Sequence, residues 1–412
     1  VVAKAYNWDA GAVLSDHSRR KHKVLREYFV EFLHVRSKLP YQRRFRLACV
    51  DGFAGGGRYA NDAPGSPLIF LEELHRAATD LNLARAAGGF PPIDIHCLLV
   101  LNDTDPTAVT QLRRHVSPLC VGTPHLKLEV QYFQQEFEAL YPSVRRLLIA
   151  GDYRNVVFNL DQCGHRHVTR ETLRDIVSSF QSAEVFYTFA IEPLLAFLQK
   201  TDAATVERQL AHLQLRSSDL AGLRPIMSNE KWLGIAERIV FDAFRSCAPF
   251  VSPFSINNPG GWRYWLIHLA KSYRARQVYN DVLHGNSSVQ AHFGRSGLDM
   301  LHYDPRYDGN LYLFDEEGRA TARSQLLDDI PRVLSTLDDG LPMASFYERI
   351  YNITPAHADD IHGALIDNPD IVVATPNGGQ RRVGQSIRAD DTVSLRRQRS
   401  FFPFWRNKDS KG

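Results

Sequence analysis

The stretch "FRLACVDGFAGGGRY", residues 45–59, decides the fold. Leu47 to Val50 form a short apolar run closed by Asp51, and four glycines follow within six positions. The run reads as a buried strand and the glycines as a tight loop. "GSPLIFLEELHRAA", residues 65–78, then starts a helix, with Ser66 as its cap and Pro67 at the first helical position. A strand running through a glycine-rich loop into a helix cradles an anion or a cofactor. Absent side chains let a ligand reach backbone N–H groups at the positive end of the helix. The bland alternative is a tight strand–helix turn with no ligand, against which stands the chain entropy lost by four glycines.

The same alternation continues outward. "IDIHCLLVLND" (93–103), "LKLEVQYF" (126–133), "NVVFNLD" (155–161) and "EVFYTFAI" (184–191) read as further strands. Helical segments at 105–116, 169–180 and 193–200 follow the second, fourth and fifth strands. This spacing predicts an α/β fold, a doubly wound and mostly parallel sheet. "PFSINNPGGWRYWLIHLA" (253–270) reads as a hairpin that closes the sheet edge, and residues 203–248 as helical. Upstream, "SDHSRRKHKVLREYFVEFLHV" (15–35) repeats Val24, Leu25, Tyr28, Phe29, Phe32 and Leu33 at helical spacing, with Ser18 as its cap and strongly basic first turns.

Composition excludes rather than identifies. The chain of 412 residues has a net charge of +3 and no apolar run long enough to span a bilayer. Its beginning lacks the pattern of a signal peptide, and Cys49, Cys97, Cys120, Cys163 and Cys247 form no CxxC pair. A cytoplasmic protein with reduced thiols and no membrane partner is the expectation. The charge is uneven: nine Lys/Arg face three Asp between Gly379 and Gly412. A basic end fits nucleic-acid contact, or a solvated tail.

The loop pattern D-G-F-A-G-G-G differs from the G-x-G-x-x-G of dinucleotide folds, and Asp103 follows Gly57 by 46 positions where a dinucleotide fingerprint places its acid about 20 on. An acid there accepts ribose hydroxyls, which S-adenosylmethionine (SAM) and NAD share. A strand-terminal aspartate before F-A-G suits the aminocarboxyl and sulfonium end of SAM better than a pyrophosphate. The candidate cofactor residues are therefore Asp51, Gly52, Phe53, Ala54, Gly55, Gly57 and Asp103.

Three motifs in order carry a family resemblance: His17, Ser18, Lys21, Leu25 and Tyr28; Asp51 to Gly55 with Gly57, Arg58 and Tyr59; and Gly65 to Leu68. Over roughly residues 8–305 the chain resembles the three-Cys-motif partner family (TcmP). The resemblance implies a class I SAM-dependent methyltransferase-like fold and SAM as cofactor. It also implies a separate three-cysteine, radical-SAM-like partner in bacterial and phage settings. It defines no substrate.

In such a fold the fourth strand ends facing the methyl group. Here that end is Asn159-Leu160-Asp161-Gln162, where many family members carry D-P-x-G, and no aromatic follows as in base amino-methyltransferases. Asp161 and Gln162 are the candidate catalytic pair. The following "CGHRH" (163–167) suggests a zinc clip, but no second Cys/His cluster completes it, so no metal is expected. A buried Cys163 with histidines bonded to backbone or facing substrate is the simpler expectation. His17 and Lys21, four apart on one helical face, together with Arg58, are candidates for substrate or phosphate contact. Otherwise they solvate the helix start.

Past residue 330, "MASFYERIYNI" and "TPAHADDIHGALIDN" read as two helices, the second capped by Thr354. "DIVVATPNGGQRRVGQSI" and "DTVSLRRQ" follow as a basic ribbon. This order is that of a winged helix-turn-helix. Arg381, Arg382, Arg388, Arg396, Arg397 and Arg399 are its candidate nucleic-acid contacts, while Asp359, Asp360, Asp367 and Asp370 make the second helix acidic and disfavour its entry into a major groove. The expected organisation is an N-terminal helical segment (1–40), a methyltransferase-type domain (41–305), a connection (306–338) and a winged-helix domain with basic tail (339–412). Two functions fit: a SAM-dependent methyltransferase acting on or beside nucleic acid, and a degenerate methyltransferase-fold subunit that binds DNA or a protein.

Overall fold

The computed structural model describes residues 8, 11–200, 208, 210–216, 229–256, 264–286, 290–293, 311–313, 316–337 and 340–396. Eleven helices are labelled among them: α1 (Asp16–Ser37), α2 (Ser66–Ala87), α3 (Pro106–Val116), α4 (Phe137–Ala150), α5 (Arg170–Ser179), α6 (Ile191–Lys200), α7 (Asn229–Arg245), α8 (Tyr273–His284), α9 (Glu316–Ser335), α10 (Met343–Ile350) and α11 (Ala358–Asp367). The large sheet is built from β1 (Arg44–Asp51), β2 (Asp94–Asn102), β3 (Leu126–Phe133), β4 (Asn155–Leu160), β5 (Ser182–Phe189), β6 (Phe250–Ile256), β7 (Tyr264–Ala270), β8 (Gln290–Phe293) and β9 (Leu311–Leu313).

Their spatial order is β3-β2-β1-β4-β5-β7-β6-β8-β9. The pairings among β1 to β5 are parallel, and β7 runs antiparallel to both β5 and β6. An order of 3-2-1-4-5-7-6 with a reversed seventh strand is the methyltransferase-type variant of the Rossmann-like sheet. The hairpin expected at 253–270 is the β6–β7 pair, while its turn lies outside the described residues. Beyond β6 the sheet extends by β8 and β9, which sequence reading did not anticipate.

Alternation along the strands explains the two layers. Phe45, Leu47 and Cys49 of β1 face α1 and α2, where they meet Val24, Phe29, Phe32, Leu68 and Phe70. Ala48 and Val50 face the other way, toward Phe137, Leu140 and Val144 of α4 and Ile176 of α5. Val24, Leu25, Tyr28, Phe29, Phe32 and Leu33 of α1 are each at most 3% exposed, and each contributes roughly 1.5–3 kcal/mol to holding the helix down. That burial keeps a basic helix against the sheet.

Three helix starts differ from expectation. Ser15, not Ser18, caps α1, accepting a hydrogen bond from the Ser18 N–H. Gly65 is the cap of α2, and Ser66 instead turns its hydroxyl to Asp51. At α11 the cap is His357, while the hydroxyl of Thr354 accepts from Ala356 N–H just upstream. In each case a buried neighbour claims the hydroxyl, or a residue nearer the chain's bend reaches the free N–H first.

The C-terminal elements run α9, β10 (Leu341–Pro342), α10, α11, β11 (Ile371–Ala374), β12 (Thr392–Leu395), with a separate antiparallel sheet in the order β10-β12-β11. Their core is continuous with the α1–α2 layer through Met343, Phe346 and Ile350. Arg276 of α8, wholly buried, donates to the carbonyls of Tyr351 and Thr354 and ties these elements to the large sheet.

Candidate functional site

Strand β1 lies at the switch point of the sheet: α2 follows it toward β2, and β4 pairs on its other side. In open α/β sheets the crevice outside the strand carboxyl ends at this point is where ligands bind. Asp51 ends β1 fully buried. Its carboxylate accepts from Phe53 N–H (3.3 Å), the Asn159 side-chain amide (3.2 Å) and Ser66. Burial nevertheless outweighs these bonds and pushes its pKa up to about 7. The three partners are neutral, so the site holds a carboxyl at the edge of ionisation.

The loop after Asp51 is pinned to its neighbours. Gly52 N–H donates to Asn159 O (3.0 Å), Ala54 N–H to Asn102 O (2.8 Å) and Gly55 N–H to Asp103 Oδ2 (2.9 Å). A Cβ on Gly52 would stand 2.8 Å from both Leu160 and Phe137, so only glycine fits there. Asp103 also accepts from Asp105 N–H through Oδ1 (3.0 Å), and burial raises its pKa. Each oxygen thus already serves one backbone donor. Asn102, 1% exposed, bonds the carbonyls of Gly52 and Gln135 and fastens the ends of β1, β2 and β3 together. Phe53 lies within 6.2 Å of the rings of Phe137 and His167.

Helix α1 crosses the carboxyl end of β4. Lys21 forms an ion pair with Asp161, 140 positions away, the two side chains 9% and 21% exposed. Burial opposes ionisation of Asp161, but the Lys21 ammonium prevails and holds its pKa below the usual carboxylate value. His17 stacks on Tyr264 with ring centroids 4.8 Å apart. Burial, with Lys21 second, lowers its pKa to about 4. His22, behind Lys21, is lowered to about 4, again chiefly by burial. One cation, one carboxylate and two neutral imidazoles therefore meet beside β4. Lys21, expected at a substrate or phosphate, is paired with Asp161 in this structure.

Gln162 does not join the Lys21–Asp161 group. It is 2% exposed, its amide donates to Tyr187 Oη (2.6 Å) and Thr188 O (3.1 Å), and its carbonyl accepts from His167 N–H (2.8 Å). These bonds make it a strut that folds the following loop onto β5. Cys163, expected to be buried, is exposed, next to Gly164 with its φ of 121°. His167 is exposed and His165 buried. Among the described residues no three His, Cys, Asp or Glu groups come together as a metal-holding cluster. Arg58 bonds Asp62, through its carbonyl (2.9 Å) and carboxylate (3.1 Å), and closes the 58–64 loop on itself.

Trp8 was not anticipated. Its indole lies on Gly55 and Gly56, where a Cβ at either position would stand 2.5 Å from a ring carbon, and its ring centroid is 5.5 Å from that of Tyr59. No periodicity marks a lone tryptophan in an N-terminal segment, so only the folded chain reveals this contact.

Of the C-terminal arginines, Arg381 forks onto Asp391 (2.9 and 3.0 Å) and staples the ribbon. Arg382, Arg388 and Arg396 are exposed, whereas Arg397 and Arg399 lie outside the described residues. Asp360 of α11 is not a surface charge: it is buried between Arg319 and Arg323 of α9. A separate cleft of about 300 Å³ lies at the amino-terminal ends of β4 and β5, lined by Arg36, Arg154, Glu184 and Lys271 among others. Each of its cations is already bonded within the chain, so the switch-point end remains the candidate site.

No protein-family model and no curated protein matches the sequence. Among solved structures, the crystal structure of magnesium protoporphyrin IX methyltransferase (ChlM) from Synechocystis PCC 6803 with bound SAH is similar at 14% identity and a TM-score of 0.27. The match covers 65% of this chain and 90% of that one. The strand order, not this likeness, carries the fold. No helix among the described residues is long and apolar enough to cross a membrane.

Proposed function

We propose that the chain is a SAM-binding, methyltransferase-like protein of the three-Cys-motif partner type, with a C-terminal winged helix that contacts nucleic acid. The observation that carries this reading is the convergence of Asp51, the glycine loop, Asp103 and Asp161 at the carboxyl ends of β1, β2 and β4. Fit to SAM rests on Asp51, a buried carboxyl with neutral partners and a pKa near 7. A cationic ligand end beside it would favour its charged form. Asp51 and the loop backbone would hold the aminocarboxyl and sulfonium end, and Asp103 the ribose. When bound, SAM supplies an activated methyl group. Asp161, kept ionised by Lys21, is then an acceptor that orients a nucleophile's hydrogen and not a strong base. The imidazoles of His17 and His22 stay neutral beside it and, with pKa values of about 4, are weak proton acceptors.

The winged-helix assignment is supported by the helix–strand–helix–helix–strand–strand order and the β10-β12-β11 sheet. On this reading the unit begins at α9, because Arg319 and Arg323 bond Asp360 and Asn368 bonds Leu327 O (2.7 Å). Exposed Arg382, Arg388 and Arg396 would meet phosphates, while Asp359, Asp367 and Asp370 keep α11 away from a major groove. A second reading, a degenerate subunit serving a three-cysteine partner, is favoured by the Lys21–Asp161 pair itself, which fills the acceptor position with the chain's own ammonium.

Calorimetry with SAM and S-adenosylhomocysteine (SAH), followed by labelled methyl transfer to DNA, RNA and partner protein, separates the two. The enzyme reading requires binding, and transfer that Asp161→Ala abolishes. Binding without transfer to any acceptor leaves the subunit reading. No binding at millimolar ligand removes the cofactor.

A further inference from the structure

We propose that the segment carrying Trp8 and residues 11–14 is a strap latched across the glycine loop, and that a cofactor entering the loop lifts the Trp8 indole off it. The inference rests on the cofactor reading above and adds to it a gate made by the chain itself.

Gly56 carries the first argument. Its backbone is not in the left-handed region, so its conformation does not call for glycine, yet a Cβ would stand 2.5 Å from Trp8 Cε3. What requires a bare Cα at this position is the indole. A Cβ on Gly55 would likewise stand 2.5 Å from Cζ2 of the same ring. The loop feature that sequence reading assigned to a cofactor is therefore already used by the protein's own aromatic residue.

The strap is fastened at its other end. Ala60 N–H donates to Ala12 O (2.7 Å), a Cβ on Gly11 would stand 3.2 Å from Ala60 Cβ, and Ala12 and Leu14 are buried. Tyr59, between the strap and α1, lies 5.5 Å from Trp8 and 5.9 Å from His22 by ring centroids. A ring in van der Waals contact with two Cα atoms leaves no layer between them for a ligand. An aminocarboxyl group approaching those backbone faces must displace it. Trp8 is itself only half-buried, so lifting it does not open the core.

The test uses the full chain, with SAH as ligand, and compares wild type, Trp8→Ala and Trp8→Phe. Trp8→Ala is expected to bind SAH about tenfold more tightly, because no indole has to leave, and Trp8→Phe to lie between the two. In wild type, acrylamide quenching of tryptophan fluorescence should rise on adding SAH, and this rise should vanish in Trp8→Phe. Equal or weaker binding by Trp8→Ala overturns the strap. So does SAH binding by wild type without any rise in quenching, which decides the matter even where Trp8→Ala does not fold. No binding of SAM or SAH by wild type or either variant overturns the cofactor reading, and the strap with it.

Discussion

Replacing Asp51 by asparagine should stabilise the unliganded protein above neutral pH. In the folded chain the Asp51 carboxyl has a pKa of about 7 against 3.8 for the free side chain, because burial outweighs its hydrogen bonds. A raised acid pKa means that the folded state binds the proton more tightly than the unfolded one. Stability from this group is then fully present below pH 3.8 and is lost as pH rises through about 7. At about 1.4 kcal/mol per pH unit the whole difference is about 4 kcal/mol, of which about 2.5 kcal/mol falls between pH 5 and pH 8. Urea unfolding of wild type and Asp51→Asn at those two pH values gives the difference directly, and groups common to both chains cancel. Wild type should lose about 2.5 kcal/mol relative to the variant on going from pH 5 to pH 8. A difference that does not change with pH, or one that favours wild type at pH 8, would refute the buried-carboxyl argument. The same linkage predicts that wild-type affinity for SAM increases as pH rises through 7, and that Asp51→Asn flattens this dependence.

Two further substitutions probe the tertiary contacts. Lys21→Met leaves Asp161 without its cation; allowing for the 21% exposure of Asp161, the loss should be about 2–3 kcal/mol at neutral pH. Since the folded pKa of Asp161 is depressed in wild type, its stabilisation is present above the unfolded value and disappears as pH falls through the folded one. The Lys21→Met deficit in urea unfolding should therefore shrink toward low pH, and a deficit that grows there would contradict the pairing. Asp360→Ala removes the buried carboxylate shared by Arg319 and Arg323; with both arginines partly solvated, about 2 kcal/mol is expected. Hydrogen exchange should accelerate in α9 and α11 and stay unchanged in β1 to β5; unaltered exchange in α9 would show that the pair does not fasten the two helices.

The loop and the strand-end acids of the candidate site lie within single strand–loop–helix units, so local pattern places them. Asp51 and the glycines sit where an apolar run stops, and Asp103 and Asp161 close two further runs of the same kind. Helix caps were read less well. A hydroxyl near a helix start has several acceptors and donors within reach, and the neighbours that chose among them for Ser66 and Thr354 are not all adjacent in sequence. Gln162 follows the same rule. Beside Asp161 it looks like a second polar catalytic group, yet the direction of its side chain is set by Tyr187 and Thr188 on the next strand.

By itself the sequence determined the α/β alternation, the loop that opens at the carboxyl end of β1 and the acidic ends of β2 and β4. Those features follow from apolar period, turn chemistry and chain connectivity over a few residues. Only the tertiary structure decided which charges meet and which glycine faces are covered. Lys21 reaches Asp161, Arg319 reaches Asp360 and Trp8 reaches Gly56 because burying the apolar face of α1 and the two layers of the sheet fixes where those elements lie. A side chain's partner across such a distance is a consequence of packing, and no local signal encodes it.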